Sequence, residues 1–327
     1  MHNTRKTREE IERFLQKHNT NVLDFPERGP WGDSGWRGNC SGWVQALMIY
    51  KYSVQKFAEL FAGSGTGSDV CRDMGVPYIG ADLNPNPVRS NILTVNAITD
   101  EVPAEFLDAD FLFMHPPYPM INIPYAGSMY ADPKGELAKS DIGQMNWEQG
   151  MKVLNEVIMK YYSAMKANSK MGILVGEVRR NGQYYSMMND MVKPGRTEQM
   201  FVKLQNNCMS TGRTYNKKIT LTMYEMMIVI EKMSEFFFSY KIPTKHELDA
   251  RDSTSITWRN LLVSVMRNSG KTEIHEKELT DCIRNHKKAQ NNKNPDAKVR
   301  QTLQINPEFV WVKPGVYRLD LSRKAAA

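Results

Sequence analysis

With 327 residues, 41% of them hydrophobic, the chain has room for one large domain and a smaller companion, each with an ordinary core, which excludes a disordered protein. The formal net charge of +7 suggests a polyanionic partner, although a soluble protein that is simply basic carries such a charge equally well. Cys40, Cys71, Cys208 and Cys282 form no CxxC pair, the histidines include no HExxH and no apolar run reaches spanning length, so the pattern indicates no zinc site, disulfide framework or membrane segment.

The first 21 residues read as a charged amphipathic helix without a cleavage-site pattern, which suits a cytosolic protein. From about Val54 apolar runs alternate with helical patterns: KFAELFAGS, VPYIGADL, DADFLFMH, an amphipathic stretch from Trp147 to Met165, then MGILVGEV. That order predicts an α/β domain with a mostly parallel, Rossmann-like sheet. The runs QMFVKLQN and LTMYEMMIVIEKM flank a polar loop and predict an antiparallel hairpin at the sheet edge. A polar, charged linker falls at 239–252. Beyond it, SITWRNLLVSVMRNSG, HEKELTDCIRNHKKA and DAKVRQTLQ read as three helices, and FVWVKPGVYRL reads as a hairpin turning at Pro314 and Gly315. This is the order of a winged helix-turn-helix, placed at 253–322. Residues 323–327, ending in AAA, read as an appended remnant.

In ELFAGSGTGSDV, Gly63, Gly65 and Gly67 lie between an apolar strand ending at Phe61 and a helix expected to begin near Gly67 or Ser68. Glycines there let the backbone turn tightly and approach a ligand, with the helix N-terminus at its polar end. The next strand ends in Asp82, where a carboxylate can accept hydrogen bonds from both ribose hydroxyls of a nucleoside cofactor. No lysine followed by Ser or Thr closes the loop, so a triphosphate site is not indicated. The alternative is a plain connecting turn, with Asp82 as a solvated strand end.

Ligands of an open parallel sheet sit beyond the carboxyl ends of its strands, so the loops after Phe61, Asp82 and Met114 should converge. The last of these is HPPY. Pro116 and Pro117 fix an extended turn and remove two N–H donors, and Tyr118 offers a ring for stacking. Two acceptors, the His115 ring and the Pro116 carbonyl, could then draw on an exocyclic amino group. A protonated imidazole accepts nothing, so acceptance by His115 implies a rate that falls as pH drops through its pKa. A His115 held at the loop base by packing, or a pocket that no longer reacts, are the other readings.

At these residues the sequence resembles the amino-group DNA methyltransferases, over about residues 22–235 of a catalytic domain placed at 22–238. Their FxGxG loop is matched by Phe61, Gly63 and Gly65, their acidic strand end by Asp82, and their (D/N/S)PP(Y/F) motif by residues 115–118, with His115 as the departure. The resemblance implies S-adenosylmethionine as cofactor, held by Glu59, Phe61, Ala62, Gly63, Ser64, Gly65, Thr66, Asp82 and Leu83. It implies further cofactor contacts from Arg37, Gly38, Asn39 and Ser41 in a closing segment, and from Asn96 and Ile98 beside the adenine. It implies transfer to the N6 of adenine in double-stranded DNA by His115, Pro116, Pro117 and Tyr118. N4 of cytosine, an RNA or protein amide, and a silent DNA-binding regulator are the rivals. A prokaryotic or phage origin and an accompanying restriction nuclease belong to the same expectation.

Extruding a base from duplex DNA costs a few kcal/mol, so affinity must come from elsewhere. The C-terminal segment offers Lys287, Lys288, Lys293 and Lys298 for phosphates and Arg300, Gln301 and Gln304 at helical spacing for base edges. The loop from Asn206 to Lys218 adds Arg213 and Lys217. A packing domain with solvated charges would read the same way. Glu177, Arg179 and Arg180 follow a buried strand and fit either phosphate contacts or a solvated strand end, and the methionines across 145–171 read as adaptable core.

Overall fold

The computed structural model describes residues 5–121, 123, 125–132, 135–206, 220–234 and 256–323. The chain divides into two compact units, Met1–Pro243 and Thr244–Ala327. The expected linker at 239–252 and the tail from 324 lie outside the described residues, as do Cys208, Arg213 and Lys217.

In the first unit the elements run α1 (Arg8–Leu15), β1 (Val22–Leu23), α2 (Gly42–Tyr52), β2 (Phe57–Leu60), α3 (Thr66–Met74), β3 (Tyr78–Asp82), β4 (Ile92–Thr94), β5 (Phe111–Met114), α4 (Trp147–Ala164), β6 (Lys170–Val175), β7 (Glu177–Arg180), β8 (Gln183–Ser186), α5 (Met187–Asp190), β9 (Arg196–Leu204) and β10 (Tyr224–Glu231). Eight strands form one sheet in the order β1-β9-β10-β6-β5-β2-β3-β4. Only β10 runs against its neighbours among these strands. The α/β Rossmann-like sheet expected from the sequence is therefore present. The β9–β10 hairpin, expected at the edge, is not the edge itself, because the two residues of β1 pair alongside β9.

Period-two alternation explains how both faces are filled. Phe57, Phe111, Phe113 and Leu174 point to one face, where they pack with residues of α1, α2 and α3. Ala58, Leu60, Leu112, Met114 and Ile173 point to the other, under Leu154, Val157, Ile158 and Tyr161 of α4. α2 is buried on nearly all sides, so it carries no amphipathic stripe for a sequence reading to find. The chain leaves β2 toward β3 and β4 on one side, and continues through β5 and β6 on the other. The carboxyl ends of β2 and β5 thus flank a topological switch point, where an open sheet leaves a crevice.

The second unit contains α6 (Trp258–Asn268), β11 (Glu273–His275), α7 (Glu276–Ile283), α8 (Lys287–Gln290), α9 (Pro295–Ile305), β12 (Phe309–Lys313) and β13 (Val316–Leu319). Its own core joins Leu261, Leu262 and Met266 of α6 to Leu279, Ile283, Val299, Leu303, Phe309 and Tyr317. The hairpin at Pro314 and Gly315 is joined by β11, giving a three-stranded sheet in the order β11-β13-β12.

Candidate active site

The glycine loop is built from its backbone outward. Phe61, Gly63 and Gly65 all take positive φ, of 65°, 47° and 76°. Phe61 holds a conformation that a non-glycine residue adopts at a cost of order 1–3 kcal/mol, a strain that clusters where ligands bind. α3 begins at Thr66, one residue earlier than the sequence suggested, because Gly65 in the left-handed region serves as its cap. A Cβ on Gly63 would lie 3.1 Å from the Trp36 indole nitrogen, and one on Gly67 would lie 2.3 Å from Glu59 Oε2. The missing side chains therefore let residues 33–39 and the Glu59 carboxyl close on the loop. Asn39 fastens that segment: its Oδ1 accepts from Thr66 Oγ1 at 2.7 Å and its Nδ2 donates to the Asp33 carbonyl at 2.6 Å.

Asp82 ends β3 beside the loop. Its Oδ2 accepts the Gly63 N–H at 2.7 Å and its Oδ1 accepts the Asn84 N–H at 2.9 Å. Burial raises its pKa, while those two N–H groups and the Tyr130 hydroxyl act against the rise. A carboxylate offers about four acceptor positions, so three such partners leave room for one more donor. Glu59, buried at the end of β2, receives the Tyr78 hydroxyl at 2.6 Å and the Gln45 amide. Burial pushes its pKa up to about 8. Gln45 Oε1 is buried without a hydrogen-bond partner, an orphaned acceptor that a ligand donor would satisfy.

One cavity of about 570 Å3 unites these groups with the HPPY loop. Of the residues singled out from the sequence, Arg37, Gly38, Asn39, Glu59, Phe61, Ala62, Gly63, Ser64, Thr66, Asp82, Leu83 and His115 to Tyr118 line it. Ser41, Gly65, Asn96 and Ile98 do not. Ser41 caps α2, Gly65 caps α3, and Ile98 packs on the core beneath α4. Asn96 stands one layer behind, donating to Ser140 Oγ at 2.8 Å, and Ser140 does line the cavity.

The HPPY loop differs most from expectation. His115 Nε2 sits 3.1 Å from the Tyr118 hydroxyl and 3.6 Å from Glu225 Oε1, and its ring also hydrogen-bonds Cys40. The Tyr118 hydroxyl donates to Glu225 Oε1 at 2.6 Å, and Lys203 Nζ donates to Glu225 Oε2 at 2.6 Å. Burial pulls the His115 pKa down, but the bonds to Cys40 and Glu225 outweigh it and raise it to about 10. Burial likewise raises that of Glu225, yet Lys203 and His115 hold it well below the usual carboxylate range. A His115 ring that stays protonated in this setting carries a hydrogen on both nitrogens, so the direction of the shift argues against the acceptor role expected of the ring. Tyr118 keeps its place in the cavity, its ring seated on Gly176, where a Cβ would lie 2.6 Å from it.

Trp36, Cys40, Gln45, Tyr125, Tyr130, Asp141, Lys203 and Glu225 also line the cavity and were not singled out as site residues. Glu225 and Lys203 stand directly opposite in the β9–β10 ladder, a charge pair that only the register of the two strands brings together. In the second unit Lys287, Lys293, Arg300, Gln301 and Gln304 are exposed, and Lys288 and Lys298 are half-buried. Arg300 is tied to Glu276 of α7 at 2.9 Å, and Lys298 Nζ donates to Gln301 Oε1 at 2.8 Å, so these side chains are held rather than extended. Among the described residues no cluster of His, Cys, Asp or Glu suits a metal ion, and no helix is long and apolar enough to cross a membrane.

No protein-family model and no curated protein matches the chain. Among solved structures it is similar to TrmN from Thermus thermophilus, at 13% identity over 60% of this chain and a TM-score of 0.35. The chain spans half the length of that protein. It is also similar to precorrin-6y C5,15-methyltransferase from Geobacter metallireducens GS-15, at 13% identity over 62% of this chain and 94% of that one, TM-score 0.32. TehB from Haemophilus influenzae aligns at 13% identity over 68% of this chain and 67% of that one, TM-score 0.35. At such scores the cavity's own residues must carry the functional reading.

Proposed function

We propose that the chain is an S-adenosylmethionine-dependent methyltransferase acting on the exocyclic N6 of adenine in double-stranded DNA. The observation that carries the reading is the single cavity in which a glycine loop with an acidic strand end faces a PPY loop. The residues fit the cofactor: Asp82 retains acceptor capacity for a ribose hydroxyl, and Gln45 Oε1 lacks a donor. Bound there, S-adenosylmethionine supplies the methyl carbon on a sulfonium.

The chain's own residues then bind and orient. Asp82 fixes ribose, and Arg37 at the cavity wall matches a carboxylate. Tyr118, anchored through its hydroxyl to Glu225 and through its ring to Gly176, presents a fixed surface to a planar base. The Pro116 carbonyl accepts from the amino group, the part that the protonated His115 ring cannot play. Orientation of nucleophile and electrophile is the protein's main contribution, because the cofactor brings its own reactivity. The second unit, with four helices and a three-stranded sheet among the described residues and with exposed Lys287, Lys293 and Gln304, is read as a winged-helix DNA-recognition domain that supplies affinity.

Treating unmodified genomic DNA with the protein and S-adenosylmethionine carrying a labelled methyl group, then digesting to nucleosides for mass spectrometry, tests the proposal. Label in N6-methyldeoxyadenosine supports it; label in N4-methyldeoxycytidine corrects the base; DNA left unlabelled while RNA or protein is labelled removes the DNA assignment.

A further inference from the structure

The β7–β8 hairpin has no part in the chemistry above. Among the described residues it pairs only with itself, as a two-stranded sheet apart from the eight-stranded one. Yet β7 borders the HPPY loop at both of its ends. Gly176, immediately before it, seats the Tyr118 ring, and Arg180 at its end donates from Nη1 to the Met120 carbonyl at 3.3 Å. The hairpin is therefore a rim of the space where Tyr118 presents its ring.

The rim carries basic and aromatic groups. Arg179, Arg180, Gln183 and Tyr184 are exposed, Tyr184 at 47%. The Arg179 guanidinium lies over the Tyr184 ring at 5.2 Å, and the Tyr184 hydroxyl meets that of Tyr224 at 3.3 Å. On the neighbouring position Tyr185 packs against Trp147, with ring centroids 5.0 Å apart. These contacts hold the rings in place before any ligand arrives, which lowers the ordering cost of binding. The hairpin's acidic residue, Glu177, is half-buried, accepts from Ser186 Oγ and lies against the Tyr184 hydroxyl, so the exposed charges of the hairpin are the two arginines.

We infer that the β7–β8 hairpin is a nucleic-acid contact over which the DNA strand bearing the target base is laid, Arg179 meeting a phosphate and Tyr184 stacking on a neighbouring base. The inference rests on the DNA-methyltransferase reading and extends it to a surface that reading does not use. Guanidinium and phenol serve different needs: the first neutralises a phosphate without regard to sequence, and the second accepts any base face.

The test measures methyl transfer to duplex fragments of unmodified genomic DNA, at varied DNA and potassium chloride concentrations, with S-adenosylmethionine affinity followed by calorimetry. Arg179→Ala should raise KM for DNA and lower the magnitude of the log–log salt slope by about one, as expected for one lost phosphate contact. Arg179→Lys should restore the slope. Tyr184→Ala should raise KM roughly five- to hundredfold, and Tyr184→Phe should keep most of the affinity. Wild-type KM and salt slope in both alanine variants would overturn the inference while leaving DNA methylation intact. Loss of S-adenosylmethionine affinity in those variants would overturn it too, by making the hairpin a support for the cofactor site. A wild-type protein that methylates no DNA would remove the underlying reading, and the hairpin contact with it.

Discussion

Replacing Glu225 by Gln keeps the shape of the side chain and removes the charge on which Tyr118, His115 and Lys203 converge. The rise of the His115 pKa from 6.5 to about 10 corresponds to roughly 5 kcal/mol of net preference for the imidazolium, at about 1.4 kcal/mol per factor of ten. Burial opposes the rise and Cys40 shares in it with Glu225, so removing the Glu225 carboxylate should lower the pKa of the ring. The sign follows from linkage: a raised folded-state pKa gives stability that is complete below pH 6.5 and is lost as pH rises through about 10. Wild-type protein should therefore show no His115 titration by proton NMR between pH 6 and 8, and a rate profile without a His115 step there. In Glu225→Gln the His115 resonance should move within that window. Urea denaturation at pH 7 should show a loss of about 3–5 kcal/mol, the cost of breaking a buried pair from one side. A wild-type His115 midpoint near 6.5, or a variant with unchanged titration and stability, would refute the reasoning.

Gly176→Ala should push the Tyr118 ring out of its seat and lower kcat/KM for DNA on the order of 100-fold while leaving cofactor affinity unchanged; equal kinetics would show that the ring has other room. Gly67→Ala places a methyl group 2.3 Å from Glu59 Oε2 and should cost about 1–2 kcal/mol in chemical denaturation, overpacking outweighing the gain in helix propensity. A chain ending at Pro243, the boundary of the first compact unit, should keep cofactor affinity and lose most DNA affinity in an anisotropy titration; unchanged DNA binding would show that the second unit does not supply it.

Much of this site was legible in the sequence because it is local. Phe61 to Gly67 and Asp82 are fixed by strand, turn and helix within about twenty residues, and residues 115–118 declare their turn through two prolines. What escaped is long-range. Glu225 reaches Tyr118 across 107 residues through a ladder whose register no single segment specifies. Its charge raises the His115 pKa, against the acceptor role expected of the ring, although the residue itself is plain in the sequence. The same limit applies to Asn96, expected beside the adenine: Ser140, 44 residues on, lines the cavity in its place and takes its hydrogen bond. α2 escaped for another reason, since a helix buried all round carries no periodic signal.

The central claim is that the cavity beside Asp82 holds a nucleoside methyl donor. Titrating S-adenosylhomocysteine into the purified protein in a calorimeter tests it most directly. Saturable binding should appear, and Asp82→Asn should weaken it roughly 10- to 150-fold, the worth of one hydrogen bond to a charged acceptor. No heat of binding in the wild type, or equal affinity in the variant, would contradict the account.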